Sequence, residues 1–161
     1  MGAAALLLWA GWYEGRSVPD ASEEQPATKE QRMLTAAALN RLRAVFSAGA
    51  CQSIYDDAGQ HFRSQTEVDW LYECDRLREN LGAWQRFDIQ STTTYGTPRQ
   101  FVLVEGLAGF AKVSRRLAVT WRMDKGGVQL ESLSLQENGT WRRIPEQPGL
   151  LLDPPPPLGM L

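Results

Sequence analysis

The fold is decided where residues 70–94 read WLYECDRLRENLGAWQRFDIQSTTT. Up to Gly82 the apolar side chains recur every three or four residues, which is the spacing of one face of an α-helix. Beyond Gly82 the spacing falls to two, and β-branched and aromatic residues become frequent. The stretch therefore predicts a helix that ends at Gly82 and a strand that begins at Trp84.

Upstream of Gly82 the sequence predicts three helices. The first two cover Lys29–Ser47 and Gln52–Ala58, and a glycine follows each of them closely. The third begins after Ser64 or Thr66, either of which is a suitable N-cap. Its buried stripe contains Trp70, Cys74, Leu77 and Leu81.

Downstream of Gly82 the sequence predicts five strands, which cover Trp84–Thr94, Gln100–Ala111, Val113–Met123, Val128–Leu135 and Thr140–Ile144. The connections between them are too short for crossovers, so we expect an antiparallel sheet. In the fourth strand the apolar residues change phase between Leu130 and Leu133, which predicts a β-bulge near Glu131 and Ser132. The fold class is therefore α+β, with N-terminal helices packed on a strongly bent antiparallel sheet.

The prolines indicate where this domain begins and ends. Six of the nine prolines follow residue 144 and two precede residue 30. Proline is excluded from helix interiors and central strands, so it collects in linkers and tails. We expect a linker at 14–29, a single domain at 30–145 and a mobile, proline-rich tail at 146–161.

Residues 1–13 form an uncharged, strongly apolar segment. A helix of this length does not cross a hydrocarbon core of about 30 Å, but it fits the apolar region of a signal peptide. No positive charge precedes the segment and no clean cleavage site follows it, which a start site further upstream would explain. The alternatives are a membrane tether through residues 3–13 and an apolar helix packed on the domain. The expected location is extracytoplasmic: periplasmic, secreted or membrane-anchored.

The charge balance argues against nucleic-acid binding. The chain carries a net charge of −2, and residues 33–144 hold fourteen basic and twelve acidic side chains. Affinity for a polyanion needs a larger electrostatic surplus. We therefore expect a protein partner or a small apolar ligand, and no nucleic acid.

Three stretches carry a resemblance to a known family: AGACQSIYDDA at 48–58, HFR at 61–63 and LRENLG at 77–82. With the order of elements, they resemble small bacterial domains of unknown function in the nuclear transport factor two-like (cystatin-like) superfamily. The resemblance covers about residues 33–144 and implies a cone, in which helices wrap around a strongly curved sheet. Enzymes of that superfamily, such as ketosteroid isomerases and polyketide cyclases, place Asp, His or Tyr inside the cone. No such set aligns with this chain.

Cys51 and Cys74 match no metal-ligand spacing. In an exported protein we expect them to form a disulfide bond, which would hold the third helix against the junction of the first two. The alternative is two separate buried thiols. The sequence contains no motif for a metal site, and we expect no cofactor.

Tyr55, Asp56, Asp57 and His61 form the one cluster with acid–base potential. Adjacent residues of a helix point about 100° apart, so the two aspartates are poorly placed to share a proton. We expect His61 in a loop, exposed to solvent or hydrogen-bonded. No catalytic residue is therefore predicted.

Large side chains on the concave side of a bent sheet are candidates to line an apolar pocket. With one tyrosine of the second helix, the candidates are Tyr55, Phe87, Phe101, Trp121 and Met123. The alternative for each of them is ordinary core packing.

These observations favour a non-catalytic binding or assembly module. The alternative is a small pocket enzyme of the isomerase, cyclase or dehydratase type, which needs an inward-pointing ionisable group. The only acids of the predicted strands are Asp88, Glu105 and Glu131. A third hypothesis is a homodimer formed through the outer face of the sheet. The outer face would contribute Arg116, Thr120 and Arg122.

Overall fold

The computed structural model describes residues 25–96, 100–124 and 127–145. The helices are α1 (Lys29–Ser47), α2 (Cys51–Asp57), α3 (Gln60–Arg63) and α4 (Glu67–Leu81). The strands are β1 (Gln25–Pro26), β2 (Trp84–Tyr95), β3 (Phe101–Phe110), β4 (Ser114–Asp124), β5 (Gly127–Glu137) and β6 (Thr140–Arg143). The predictions for the apolar segment 1–13 and the tail 146–161 lie outside the described residues.

The α+β class and the antiparallel sheet are confirmed. Six strands lie in the order β1-β2-β3-β4-β5-β6, and each pairs antiparallel with the next. The sheet is open, with β1 at one edge and β6 at the other. In the part of the chain that the structure describes, no helix is both long enough and apolar enough to span a bilayer.

Two short elements differ from the sequence prediction. β1 lies inside the predicted linker 14–29, where Gln25 pairs with Thr94 and Pro26 with Thr93. A strand of two residues is too short to show the alternation of buried and exposed side chains. Proline is tolerated in such an edge strand because its missing N–H is not needed there. The other element is α3, a single turn that begins after Gly59. Elements this short leave no periodic signal in a sequence.

Side-chain caps explain where the two long helices begin. Thr28 caps α1: its hydroxyl accepts from the Gln31 N–H, and the Gln31 side chain accepts from the Thr28 N–H. Of the two predicted caps for α4, the structure has Thr66, whose hydroxyl accepts from the Asp69 N–H. Both helices therefore begin where a side chain satisfies an otherwise unpaired backbone donor.

The core lies between the helices and the inner face of the sheet. α1 lies against β2, β3 and β5, and the buried faces of α1, α2 and α4 join the sheet in one apolar cluster. Ser47 fixes the start of the sheet to the end of α1, because its hydroxyl donates to the Trp84 carbonyl and accepts from the Trp84 N–H. The Phe46 ring packs edge-on against Trp84 with centroids 6.2 Å apart.

The predicted β-bulge is present at Glu131. Trp121 pairs with Leu130 and Thr120 with Ser132, so Glu131 has no partner on β4. The extra residue returns Leu133 to the inner face that Leu130 already occupies, and both are buried. The bulge therefore places one carboxylate at an irregular point of the sheet.

The predicted disulfide bond joins Cys51 to Cys74, with their Cα atoms 6.2 Å apart. It holds the middle of α4 against the first residue of α2. The Trp70 Nε1–H donates to the Cys51 carbonyl at 2.8 Å, which fixes the same junction a second time. The alternative of two free thiols is therefore wrong.

A half-buried ion pair holds β6 on α4. Arg142 Nη1 donates to Glu73 at 2.9 Å, and Arg142 Nε donates to Glu137 at 3.2 Å. Burial of Arg142 disfavours its charged form, but the hydrogen bonds and charges of the two carboxylates outweigh burial and raise the pKa of Arg142. Arg142 therefore stays charged while it connects the last strand to the helix layer.

Candidate functional site

Two clefts lie on opposite faces of the sheet. The inner cleft, of about 200 Å³, is enclosed by α1, α2, β4 and β5. Its apolar lining consists of Ala38, Leu42, Val45, Ile54, Trp121, Val128 and Leu130. Its polar lining consists of Arg41, Ser53 and Asp57, all of which are exposed. The inner cleft therefore has seven apolar side chains in its lining and three polar side chains at its mouth.

Trp121 is the one inner-cleft residue with a buried and unsatisfied polar atom. It is 4% exposed, and its Nε1–H has no acceptor among the described residues. The other two buried tryptophans are satisfied: Trp70 donates to Cys51 and Trp84 donates to the Arg86 carbonyl at 2.9 Å. A buried donor without a partner costs about 1–3 kcal/mol, and such groups call for an explanation. A ligand acceptor in the cleft would supply the missing partner.

The outer cleft, of about 240 Å³, is lined from α3 and from β2 to β6. Its lining residues are His61, Tyr95, Phe101, Thr120, Arg122, Glu131, Ser132 and Arg143. More polar and charged side chains line the outer cleft than line the inner cleft, and they include the only histidine of the chain.

Glu131 and Arg122 form the centre of the outer cleft. Arg122 Nε donates to Glu131 Oε2 at 2.8 Å, and the Glu131 side chain is 4% exposed. Glu131 Oε1 is buried and has no hydrogen-bond partner within the described ranges. The Arg122 guanidinium lies 5.0 Å from the ring centre of Phe101, which stacks on Tyr95 at 5.5 Å. A charged pair and an aromatic wall therefore adjoin one another.

The structure divides the five residues that the sequence proposed for one pocket. Trp121 lines the inner cleft, whereas Phe101 lines the outer cleft, because Val102, and not Phe101, faces the core beside Trp121. Phe87 packs edge-on against Trp84, and Met123 packs against the core. The Tyr55 hydroxyl donates to the backbone carbonyls of residues 63 and 65. Within the described residues, the two clefts therefore do not bring these five side chains together.

The acid–base cluster is likewise divided. Asp57 lines the inner cleft and His61 lines the outer cleft. Asp56 accepts a hydrogen bond from the Gln52 amide at 2.9 Å. His61 lies in the short helix α3 and not in a loop as expected. The four side chains therefore do not converge on one substrate.

The strand acids have separate environments. Asp88 is exposed and pairs with Arg86 at 3.7 Å, and only Glu131 is buried. Of the residues proposed for an outer-face dimer, Thr120 and Arg122 line the outer cleft and Arg116 is exposed. The dimer itself stays a prediction. Among the residues that the structure describes, no three His, Cys, Asp or Glu side chains are grouped so that they could hold a metal ion.

Sequence reasoning missed the outer cleft, although one signal for it was visible. The alternation of apolar residues in β5 shifts by one position, which predicts a bulge at Glu131. A bulge changes the direction of the side chain of its extra residue. The partner of Glu131, Arg122, comes from β4, so their meeting depends on tertiary structure. Arg41 at the inner cleft was missed, and Asp57 was proposed for the acid–base cluster and not for this cleft, because the two residues belong to different helices.

Comparisons of the chain with protein-family models, with curated proteins and with solved structures gave no match. The resemblance to the nuclear transport factor two-like superfamily therefore stays a prediction.

Proposed function

We propose that the protein is a non-catalytic binding module that holds a small, mostly apolar molecule in the inner cleft. One observation carries the proposal: the apolar cleft contains Trp121, whose indole N–H has no acceptor among the described residues. Apolar pockets with a few placed polar groups are the usual form of small-ligand sites. The polar residues at the mouth would face the exposed end of the ligand.

The volume of the inner cleft limits the size of the ligand. About 200 Å³ exceeds the ~150 Å³ of an apolar cavity that holds benzene and is smaller than the ~300–1,000 Å³ typical of drug-sized ligands. A single ring or a short branched chain fits. The Trp121 N–H adds a requirement for one hydrogen-bond acceptor, such as a ketone or ether oxygen.

We infer that the module works outside the cytoplasm and belongs to the cone-shaped class. The Cys51–Cys74 bond supports the location, because structural disulfides form mainly in oxidising compartments. Residues 3–13 would supply the export signal or a membrane tether. The bulge at Glu131 supports the fold class, since a bulge bends its strand and increases the local twist of the sheet.

The proposal is tested by titration with toluene, which has no acceptor, and with acetophenone, which has one. The readout is the indole N–H resonance in two-dimensional NMR, with Trp121→Phe identifying the Trp121 signal. We expect acetophenone to bind the wild type about threefold to tenfold more tightly than toluene, which is the range of one net hydrogen bond. In Trp121→Phe, where binding is followed by the backbone amide resonances of the same spectra, this difference should vanish while toluene affinity stays within about twofold. If neither probe moves the Trp121 signal, the inner cleft is not a ligand site.

The alternative of a pocket enzyme has one observation in its favour, the exposed Asp57 carboxylate at the mouth of the inner cleft. A general base there would remove a proton next to the carbonyl of a bound ketone. Acetophenone distinguishes the two functions, because base catalysis would exchange its methyl protons for deuterium in heavy water. The binding module predicts exchange at the buffer rate. Exchange above that rate, lost in Asp57→Asn, would establish the enzyme.

A further inference from the structure

We infer a second ligand site in the outer cleft, which would take a small aromatic carboxylate that also carries a hydroxyl group. The site lies on the opposite face of the sheet from the inner cleft and shares no lining residue with it. It is therefore independent of the function proposed above.

Positive charge and hydrogen-bond donors predominate in the outer cleft. Glu131 neutralises Arg122 through the 2.8 Å bond to its Nε. Arg143 also lines the cleft and makes no ion pair within the described part of the chain. The hydroxyls of Thr120 and Ser132 add further donors. Arg143 is thus available to bind an anion. Arginine binds carboxylates through paired, charge-assisted hydrogen bonds.

An aromatic wall adjoins these donors. Phe101 and Tyr95 stack with ring planes 21° apart, and the Arg122 guanidinium lies over the Phe101 ring. A planar ligand can stack beside them and so bury its apolar face. The cleft volume of about 240 Å³ admits one substituted ring. The carboxylate of the ligand should therefore be attached to a ring.

Glu131 adds a requirement for a donor on the ligand. Glu131 lines the cleft, its Oε1 is buried without a partner among the described residues, and its Oε2 is held by Arg122. An unpaired buried carboxylate oxygen is costly, and it repels a ligand that presents only negative charge. A ligand hydroxyl donated to Oε1 removes both penalties. Carboxylate and hydroxyl on one ring therefore match Arg143 and Glu131 together.

The test is a calorimetric titration of the full chain with benzoate, phenol and the three hydroxybenzoate isomers. We expect one isomer to bind at least about tenfold more tightly than benzoate or phenol, because only the hydroxybenzoates satisfy both groups. The inference is wrong if no isomer binds more tightly than benzoate.

Two variants assign the contacts. Arg143→Gln changes an exposed side chain and should weaken the best isomer about tenfold while leaving phenol unchanged. Glu131→Gln should remove the advantage of that isomer over benzoate. If Glu131→Gln does not fold, the inference is still tested by Arg143→Gln and by the affinities of the five probes for the wild type.

Arg41→Gln is the matched control, because Arg41 is an exposed arginine at the mouth of the inner cleft. Its affinity for the best isomer should equal that of the wild type. An equal loss in Arg41→Gln and Arg143→Gln would mean unspecific attraction by charge and would overturn the inference. Toluene affinity should be unchanged in Arg143→Gln, so failure at one cleft does not imply failure at the other.

Discussion

Gly59 lies directly against Glu131: a Cβ atom on Gly59 would stand 2.5 Å from Glu131 Oε2. The Gly59 N–H also donates to the Leu130 carbonyl at 2.8 Å. The φ of Gly59 is −74°, which any residue can adopt, so glycine is needed here for space and not for backbone freedom. The loop before α3 is thereby fixed to the bulge of β5, and the outer cleft forms beside that contact.

Gly59→Ala should lower the free energy of unfolding by about 1–3 kcal/mol, the usual cost of overpacking a filled site. The added methyl group displaces the Glu131 carboxylate from its bond with Arg122. Denaturant unfolding measures the effect. In a Glu131→Ala background the same change should cost less than about 0.5 kcal/mol, because the obstructing atoms are gone. Equal costs in both backgrounds would contradict the contact.

Reduction of the Cys51–Cys74 bond should lower stability by about 3 kcal/mol, the entropy that a loop of this length loses when it is closed. The measurement is denaturant unfolding with and without a reductant, and the Cys51→Ala/Cys74→Ala variant is the control that should not respond to the reductant. Intact mass after alkylation of unfolded protein checks the bond itself. Two thiols that alkylate without reduction would show that it does not form.

Glu73→Gln should lower the free energy of unfolding by about 2 kcal/mol, because Arg142 loses its nearest charged acceptor. Arg76→Gln is the control: Arg76 lies 3.8 Å from the same carboxylate but is half exposed, so its loss should cost less than about 0.5 kcal/mol. The free energies of unfolding of the two variants are compared by denaturant unfolding. Equal losses would mean that the buried Arg142–Glu73 contact stabilises the protein no more than an exposed neighbouring charge does.

The raised pKa of Arg142 determines how its contribution to the free energy of unfolding depends on pH. A cation whose folded pKa is raised adds stability at every pH below its unfolded pKa and loses it only as the pH rises through the folded value. For Arg142 both values lie far above neutral pH, and the folded value is the higher of the two. The stability difference between wild type and Arg142→Gln should therefore be constant from pH 7 to about pH 10. A difference that falls across this range would contradict the ion pair.

Ala38→Leu should abolish toluene binding at the inner cleft, because Ala38 is buried in its wall and three added carbons occupy the space of the ligand. Ala37→Leu makes the same chemical change one residue earlier on the exposed face of α1 and should bind toluene like the wild type. Equal binding by both variants would place the toluene site elsewhere.

Much of the fold was predictable from local patterns. The bounds of α1 agree with the prediction, and each long strand agrees to within two residues, because period, caps and turns are local properties. The turn at Asn138 and Gly139 has positive φ at both residues, as the Asn-Gly pair indicates for a two-residue hairpin. The bulge was predictable too, since a phase change is visible in the sequence of one strand.

The sites were less predictable, and Phe101 shows why. A large aromatic residue in a strand is an equally good candidate for either face until the register with its neighbour is known. The pairing of Val102 with Trp121 places Phe101 on the outer face, beside Arg122. The sequence therefore identified residue types that suit a pocket but assigned residues from both faces of the sheet to the same pocket.

The sequence alone was sufficient for the α+β class, the order of the longer helices and strands, the antiparallel sheet and its bulge. These depend on residues close together in the chain, whose spacing selects helix or strand. The tertiary structure was needed to show that Trp121 has no acceptor among the described residues of one cleft and that Glu131 pairs with Arg122 in the other. Those relationships join residues from different elements, and burial gives a missing or completed hydrogen bond its energetic weight.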